Sequence, residues 1–396
     1  MTLETDLIHH PYQAPAGFVA PQPGVFKAST VIFPNTAAMR ARDWKNKTGY
    51  TYGLHGTPTS FVLEERIATL EGGKHCVLVP SGLAAITLTN LAMLKQGDEV
   101  LIPDNAYGPG KELARQELAR WGITHRFYDA ADPDALAAMV QPATKLVWIE
   151  APGSVTMEFP DLPALVRAAR SKGALVALDN TWGAGVAFQA FELGFDLVVQ
   201  ALTKYPSGGG DVLMGSVTTR DHALHLALNA SHMRMGWGIG ANDAEAVLRA
   251  LPSLHLRYSA HDRAARVLAQ WWAARPEVAR VLHPALPGSP GHAHWAAVCT
   301  QAAGLFSIVF DARFSAQQVD AFVDALTLFK IGFSWAGPIS LVVPYDLRTM
   351  RSTQVSGALE PGALVRFSVG LESVQDLIRD SEQALAALTV PLPPAR

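Results

Sequence analysis

Lys204 and Asp179 each close an apolar run, and their types and positions suit one chemistry. Lys204 lies in Leu202-Thr203-Lys204-Tyr205-Pro206-Ser207-Gly208-Gly209-Gly210-Asp211, directly after Phe195-Asp196-Leu197-Val198-Val199-Gln200-Ala201, which reads as a buried strand. Burial disfavours the ammonium form and lowers a lysine pKa. A neutral lysine amine is a nucleophile that can form a Schiff base with an aldehyde. Upstream, Ala174-Leu175-Val176-Ala177-Leu178 is another apolar strand, and it ends in Asp179-Asn180-Thr181-Trp182. An acid and a lysine on the ends of successive strands meet the needs of pyridoxal 5'-phosphate (PLP): the acid pairs with the pyridinium nitrogen and the lysine holds the aldehyde. Their spacing of 25 positions is enough for one crossover helix and a strand.

Other residues fit the same ligand, and each has a plainer reading beside it. Ser81-Gly82-Leu83-Ala84-Ala85 ends a strand and opens an apolar helix from Leu83 to Leu94. Free N–H groups at such a terminus bind phosphate, and Gly82 lets an anion approach; an ordinary strand-to-helix turn looks the same. Tyr107, just past a strand, could stack on a flat ring or sit in a loop. Asp179 could cap a helix, and Lys204 could snorkel. Arg366 interrupts an apolar strand, where its planar guanidinium suits a carboxylate or a structural ion pair. Ser334-Trp335 could help form that pocket. The histidines (His9, His10, His283, His292, His294) lack acidic or thiol partners in regular spacing, so no metal site is expected.

The elements that must position these groups are legible in outline. A chain of 396 residues with 49% hydrophobic and 17% charged content is long enough for two domains with a large core. A net charge of −3 gives no case for nucleic acid or an anionic membrane. The two cysteines, Cys76 and Cys299, suggest neither a disulfide framework nor zinc. No basic region precedes an apolar stretch at the N-terminus, and no apolar run reaches about 18 residues. The expectation is therefore a cytoplasmic enzyme.

Residues 1–55 read as an extended arm. Strand-like runs at 76–80, 99–103, 145–150, 174–179 and 195–201 alternate with helical stretches such as 113–121 and 161–172. This alternation predicts an α/β fold with a mostly parallel sheet covered on both faces and ligands beyond the carboxyl ends of its strands. The PLP-binding domain is placed at 56–250. A long helix over 241–274 and a Pro/Gly-rich loop from His283 to His292 lead into a smaller α+β domain, 251–396, with strands at 304–310 and 364–370.

The chain resembles the Cys/Met-metabolism family of PLP-dependent enzymes, within the aspartate-aminotransferase-like (type I) fold, from about Val31 to about Leu388. The marks are Tyr52 with Gly56-Thr57-Pro58-Thr59, Leu70-Glu71-Gly72-Gly73, Glu150-Ala151-Pro152-Gly153-Ser154, Leu178-Asp179-Asn180-Thr181, Ala201-Leu202-Thr203-Lys204-Tyr205, His283-Pro284-Ala285-Leu286-Pro287-Gly288 and Phe333-Ser334-Trp335. Ser334-Trp335 looks like the form found in bacterial cystathionine β-lyases.

The resemblance implies Lys204 and Tyr107 as the catalytic residues, Lys204 holding PLP and moving the proton while Tyr107 stacks on the ring. Asp179 binds the pyridinium, and Gly82, Leu83 and Thr203 hold the phosphate. Tyr52 reaches the phosphate of a neighbouring subunit, in a homotetramer built as a dimer of dimers. Arg366, with Ser334 and Trp335, takes the substrate α-carboxylate. The implied reaction cleaves L-cystathionine to homocysteine, pyruvate and ammonia, in methionine biosynthesis. The rivals are a γ-lyase or γ-synthase of the same family, a broad cysteine-S-conjugate β-lyase, and a regulatory protein that retains the fold.

Two positions depart from the family pattern. Leu54 stands where an arginine is usual, followed by His55. The lysine motif continues Gly208-Gly209-Gly210-Asp211 where Gly-His-Ser-Asp is common.

Overall fold

The computed structural model describes residues 2–12, 14–45, 47, 49–351 and 362–389. The expected C-terminal unit, 251–396, thus runs beyond the described residues at 352–361 and 390–396.

Seven strands form the larger sheet: β1 (His75–Val79), β2 (Glu99–Pro103), β3 (Thr124–Tyr128), β4 (Thr144–Glu150), β5 (Leu175–Asp179), β6 (Leu197–Ala201) and β7 (Gly215–Thr219). Their order is β1-β7-β6-β5-β4-β2-β3. The run from β3 to β6 is parallel, whereas β7 is antiparallel to both β6 and β1. With helices on both faces, β2 and β7 are buried along their whole length. β7 reads Gly-Ser-Val-Thr-Thr, so its burial does not show as an apolar run. Lys204 lies on the connection between β6 and β7, where the parallel run of the sheet ends.

Glycine permits the approach that builds this corner. A Cβ on Gly82 would lie 2.6 Å from the Cβ of Ala201, and one on Gly215 would lie 2.3 Å from the Ser81 carbonyl oxygen. The N-terminus of the helix Gly82–Met93 is thereby pressed against the ends of β6 and β7, three residues before Lys204. Ser81 caps that helix, its hydroxyl accepting from the Ala84 N–H at 3.0 Å.

The second sheet contains β8 (Val278–Leu282), β9 (Leu305–Phe310), β10 (Lys330–Ile331), β11 (Leu341–Tyr345) and β12 (Leu364–Ser368), in the order β10-β11-β12-β9-β8. Its strands alternate between two cores. Phe306, Ile308, Phe310, Val365 and Phe367 pack with Trp272 of the helix Leu254–Ala273, while Leu305, Val309 and Leu364 join the core of the larger sheet. Arg366, between Val365 and Phe367, therefore shares the face that looks toward the larger sheet.

Four expectations change in detail. The helix placed at 113–121 begins at Gly108, with Pro109 pre-set for its first turn, and continues through a π-turn at Ala114–Leu118. The single helix over 241–274 is two, Ala241–Ala250 and Leu254–Ala273, joined by a 3-10 turn at Leu251–Ser253. Pro252 has no N–H to give and breaks the ladder; the Ala250 carbonyl, whose helical donor Leu254 bonds Leu251 instead, accepts from Arg257 Nη2 and Ser253 Oγ, both at 3.0 Å. The first residues are not all arm: helix Leu3–Ile8 buries Leu7 in the main core of its own chain. Beyond it the segment stays on the surface, with Val19 96% and Ile32 89% exposed. The loop from His283 to His292 is a packed joint: His283 is fully buried, and Pro290 accepts from the Phe159 N–H at 3.1 Å.

Gly215→Ala tests the corner. The added methyl meets backbone, which cannot swing aside, so overpacking should cost about 1–3 kcal/mol. Urea unfolding should show a lowered midpoint; an unchanged one would contradict the close approach of β7 to Ser81.

Candidate active site

The Lys204 backbone is fixed before its side chain matters. Its N–H donates to the Ala201 carbonyl at 3.0 Å, and its own carbonyl accepts from the Gly208 N–H at 2.8 Å. Arg257 Nη1 donates to the Tyr205 carbonyl at 2.6 Å, and Tyr205 itself is buried against Tyr258, ring centroids 4.6 Å apart. From this turn Lys204 Nζ reaches Ser334 Oγ at 2.7 Å and lies 5.5 Å from the centre of the Trp335 ring. Arg366 Nη2 approaches the Ser334 carbonyl at 3.4 Å, and its guanidinium stands 5.3 Å from the Tyr345 ring. The buried Arg366 Nε has no hydrogen-bond partner among the described residues, so the guanidinium keeps donor capacity for a ligand.

The loop that presents Ser334 is strained. Ser334 has φ 97° and Ala336 has φ 68°, a region that side chains with a Cβ rarely adopt. Trp335 between them lies edge-on to Tyr205, centroids 5.8 Å apart.

Electrostatics follow from this packing. Burial, and then the Arg366 charge, lower the Lys204 pKa to about 8, with Asp179 acting in the opposite direction. Burial raises the Asp179 pKa, while hydrogen bonds from Thr181 and the Lys204 charge oppose it. Both Thr181 bonds, from N at 3.0 Å and from Oγ1 at 2.6 Å, end on Asp179 Oδ1, which leaves Oδ2 for a ligand.

Asp179 lines one narrow cavity with Tyr107, Glu150, Ile86, Ile102 and Trp148. Tyr107 is 43% exposed and is the N-cap residue of the helix Gly108–Leu113. At the other end of the cluster, the N–H groups of Gly82 and Leu83 open a helix and have no intrahelical acceptor. The Thr203 hydroxyl is already engaged, accepting from the Met214 N–H at 3.1 Å and within 3.2 Å of the Met214 carbonyl.

Lys204, Ser334, Trp335 and Arg366 are thus brought together, with Asp179 and Tyr107 sharing the adjoining cavity. Tyr52 is placed differently. It bridges Thr30 on the arm and contacts His55, ring centroids 6.0 Å apart. Leu54 and His55 line a separate cavity of about 440 Å³ with Lys47, Glu64 and His232. His55 Nδ1 is 2.6 Å from the Thr51 hydroxyl, and burial lowers its pKa, so it carries little charge.

Sequence reasoning gave no role to two carboxyls beside Asp179. Glu71 is enclosed beneath Asn180 and Gln200, whose amides both donate to it, and burial pushes its pKa up to about 7. Glu150 ends β4 just as Asp179 ends β5, a signal the sequence did contain.

The chain is similar to known proteins along nearly its whole length. A profile of the Cys/Met metabolism PLP-dependent enzymes matches residues 4–386. A cystathionine β-lyase from Bordetella avium is 41% identical over 366 residues, spanning 91% of this chain and 90% of that protein. The cystathionine β-lyase MetC of Escherichia coli K12 is 36% identical, spanning 91% and 92%. The crystal structure of metB from Corynebacterium glutamicum superposes with a TM-score of 0.89 at 28% identity and covers 98% of both chains.

A pKa of about 8 has a kinetic signature. At pH 7 about one Lys204 amine in ten is then neutral, against fewer than about one in a thousand for an ordinary lysine. The rate at which PLP-free protein takes up PLP, followed by the visible band, should climb with pH and level off above about pH 8. A rate still climbing in proportion to hydroxide between about pH 9 and 10 would return Lys204 to its ordinary value.

Proposed function

The chain belongs to the Cys/Met metabolism family of PLP-dependent enzymes, and we propose that it is a carbon–sulfur β-lyase cleaving L-cystathionine to homocysteine, pyruvate and ammonia in methionine biosynthesis. The observation that carries the reading is the cluster of Lys204 Nζ, Ser334 Oγ, Trp335 and Arg366, contributed by both sheets. The likeness to proteins named cystathionine β-lyase supports it.

The residues present fit PLP. A lysine with a lowered pKa, an aspartate with one uncommitted oxygen, a half-exposed tyrosine and an open helix N-terminus answer to its aldehyde, ring nitrogen, ring face and phosphate. When bound, the cofactor supplies an electron sink for the Cα carbanion of an amino acid.

The protein's part is binding and proton handling. Asp179 Oδ2 would hold the proton on the ring nitrogen, and Tyr107 would cover the ring. The Gly82 and Leu83 N–H groups take the phosphate; Thr203 joins them only by turning its hydroxyl proton away from Met214. Arg366 binds the substrate α-carboxylate, its Nε having no partner among the described residues, and Trp335 walls the pocket. The Lys204 amine would take the Cα proton of the bound amino acid, with Ser334 holding its Nζ on line. The Cβ–S bond breaks with its electron pair leaving on sulfur, the thiolate takes a proton to become homocysteine, and one water hydrolyses the remaining three-carbon enamine to pyruvate and ammonia.

Residues 1–55, 56–250 and 251–396 serve as arm, PLP-binding unit and C-terminal unit, with the helix Leu3–Ile8 remaining on its own chain. The exposed arm supports a role in a neighbouring subunit, in a homotetramer of paired dimers. Cys76 and Cys299 are free thiols, in keeping with a reducing cytoplasm.

Purified enzyme incubated with L-cystathionine should release pyruvate, identified by mass spectrometry of the keto acid. Predominant 2-oxobutyrate would make it a γ-lyase. Assembly is tested by complementation between Tyr52→Ala subunits and Lys204→Ala subunits. In a mixed dimer that shares its sites, one site collects both defects and the other neither, so activity should reappear. Verified mixed dimers without recovery would keep Tyr52 out of the neighbour's site.

A further inference from the structure

Glu150 and Asp179 are register partners on the parallel strands β4 and β5. Their side chains therefore stand on the same face of the sheet, at strand ends about 4.8 Å apart, and both line the cavity that Tyr107 borders. Glu150 Oε2 accepts the Tyr107 N–H at 2.7 Å. That N–H precedes its helix, whose start has no side-chain cap, and no strand pairs with it. The loop is tied a second time behind Tyr107, where buried Lys111 Nζ bonds the Asp104 carboxylate at 2.9 Å and the Asp104 carbonyl at 2.6 Å. Glu150 is the tie on the cavity side.

We propose that Glu150 is a positioning residue for the cofactor ring: by holding the Tyr107 main chain from the strand end beside Asp179, it sets the stacking tyrosine against the acid that faces the ring nitrogen. The inference rests on the roles proposed above for Tyr107 and Asp179.

The charge on Glu150 can be assigned from its surroundings. Two carboxylates on adjacent strand ends do not readily share one buried site as anions. Burial raises Glu150 well above the usual carboxylate range, and Asp179 on β5 and Glu158 on the following segment raise it further, against the Tyr107 N–H and Arg351. Asp179 has two Thr181 donors and the Lys204 cation on its side. The proton therefore rests on Glu150, and Asp179 keeps the negative charge opposite the ring nitrogen. A neutral carboxyl still accepts an N–H through its carbonyl oxygen. The site thus requires an acceptor at position 150, not a charge.

Glu150→Gln keeps an acceptor of the same shape, and Glu150→Met keeps the length but not the acceptor. PLP-loaded wild type and both variants are compared by the rate of cofactor release into an excess of trapping agent and by the pH midpoint of the visible cofactor band. Thermal unfolding of the PLP-free proteins serves as the structural control. The Gln variant should release PLP within about threefold of wild type and keep its pH midpoint, while the Met variant, with the Tyr107 N–H deprived of its side-chain acceptor, should release it about tenfold faster at similar thermal stability. A Met variant that holds PLP like wild type overturns the proposal. So does a Gln variant as leaky as Met, or one whose midpoint moves by about a unit or more, since charge would then be the requirement. A wild type with no visible band overturns the cofactor reading as well, whereas the Gln–Met contrast bears on Glu150 alone.

Discussion

Two cations held close together with little water between them and the core set the terms for the rest of this structure. Lys204 and Arg366 approach a single residue, Ser334, one through its hydroxyl and the other through its carbonyl. Arg366 is buried and Lys204 partly so, and like charges there repel more strongly than in water. Arginine does not give up its proton in proteins, and lysine does when buried. The conflict is resolved on Lys204, whose pKa falls to about 8. Burial of the side chain is the larger cause of that fall and the Arg366 charge the second, so the lowered pKa is not wholly intrinsic to the lysine's own loop. Part of it depends on β12 of the second sheet delivering Arg366 to the face that looks at the first.

That delivery explains why β9 and β12 are packed on both sides. Phe306, Ile308, Phe310, Val365 and Phe367 fix the second sheet to its own helices, and Leu305, Val309 and Leu364 fix it to the larger sheet. Each strand alternates, so Arg366 cannot move without carrying its apolar neighbours. Ser307 adds a direct tie, its hydroxyl donating to the Val155 carbonyl at 2.6 Å. The left-handed Ser334 and Ala336 cost of order 1–3 kcal/mol each. They persist because Trp335 packs on Tyr205 and because the Ser334 carbonyl and hydroxyl are both bonded.

Where function coincides with a strand end, the sequence is readable. Lys204 and Asp179 follow apolar runs, and Arg366 interrupts one. The strands with little apolar signal were not readable. β7 is wholly buried, but Ser216, Thr218 and Thr219 carry no hydrophobic pattern. β3 reads Thr-His-Arg-Phe-Tyr at the open edge of the sheet. Glu150 escaped for another reason. Its partner is a main-chain N–H more than one crossover away, and its neighbour Asp179 becomes one only through strand register. Residue type at a single position cannot express a contact of that kind. Pro252 was visible, yet the apolar periodicity on both sides hides the break it makes.

The phosphate end of the site shows how one departure shifts work onto others. With Leu54 at the position usually held by arginine, that side chain can offer an anion no charge. His55 does not replace it, because burial keeps its imidazole neutral and Nδ1 is taken by Thr51. Thr203 shares its hydroxyl with the Met214 backbone. The remaining donors are the N–H groups that open the helix Gly82–Met93, backed by a helix dipole equivalent to about half a unit charge. Backbone donors act only where the backbone is placed, and Gly82 is placed by its contact with Ala201 and by the approach of Gly215 to Ser81. On the proposed reading, anion binding here rests less on a mobile cation than on close packing at the corner between β6 and β7, and the same corner holds Lys204.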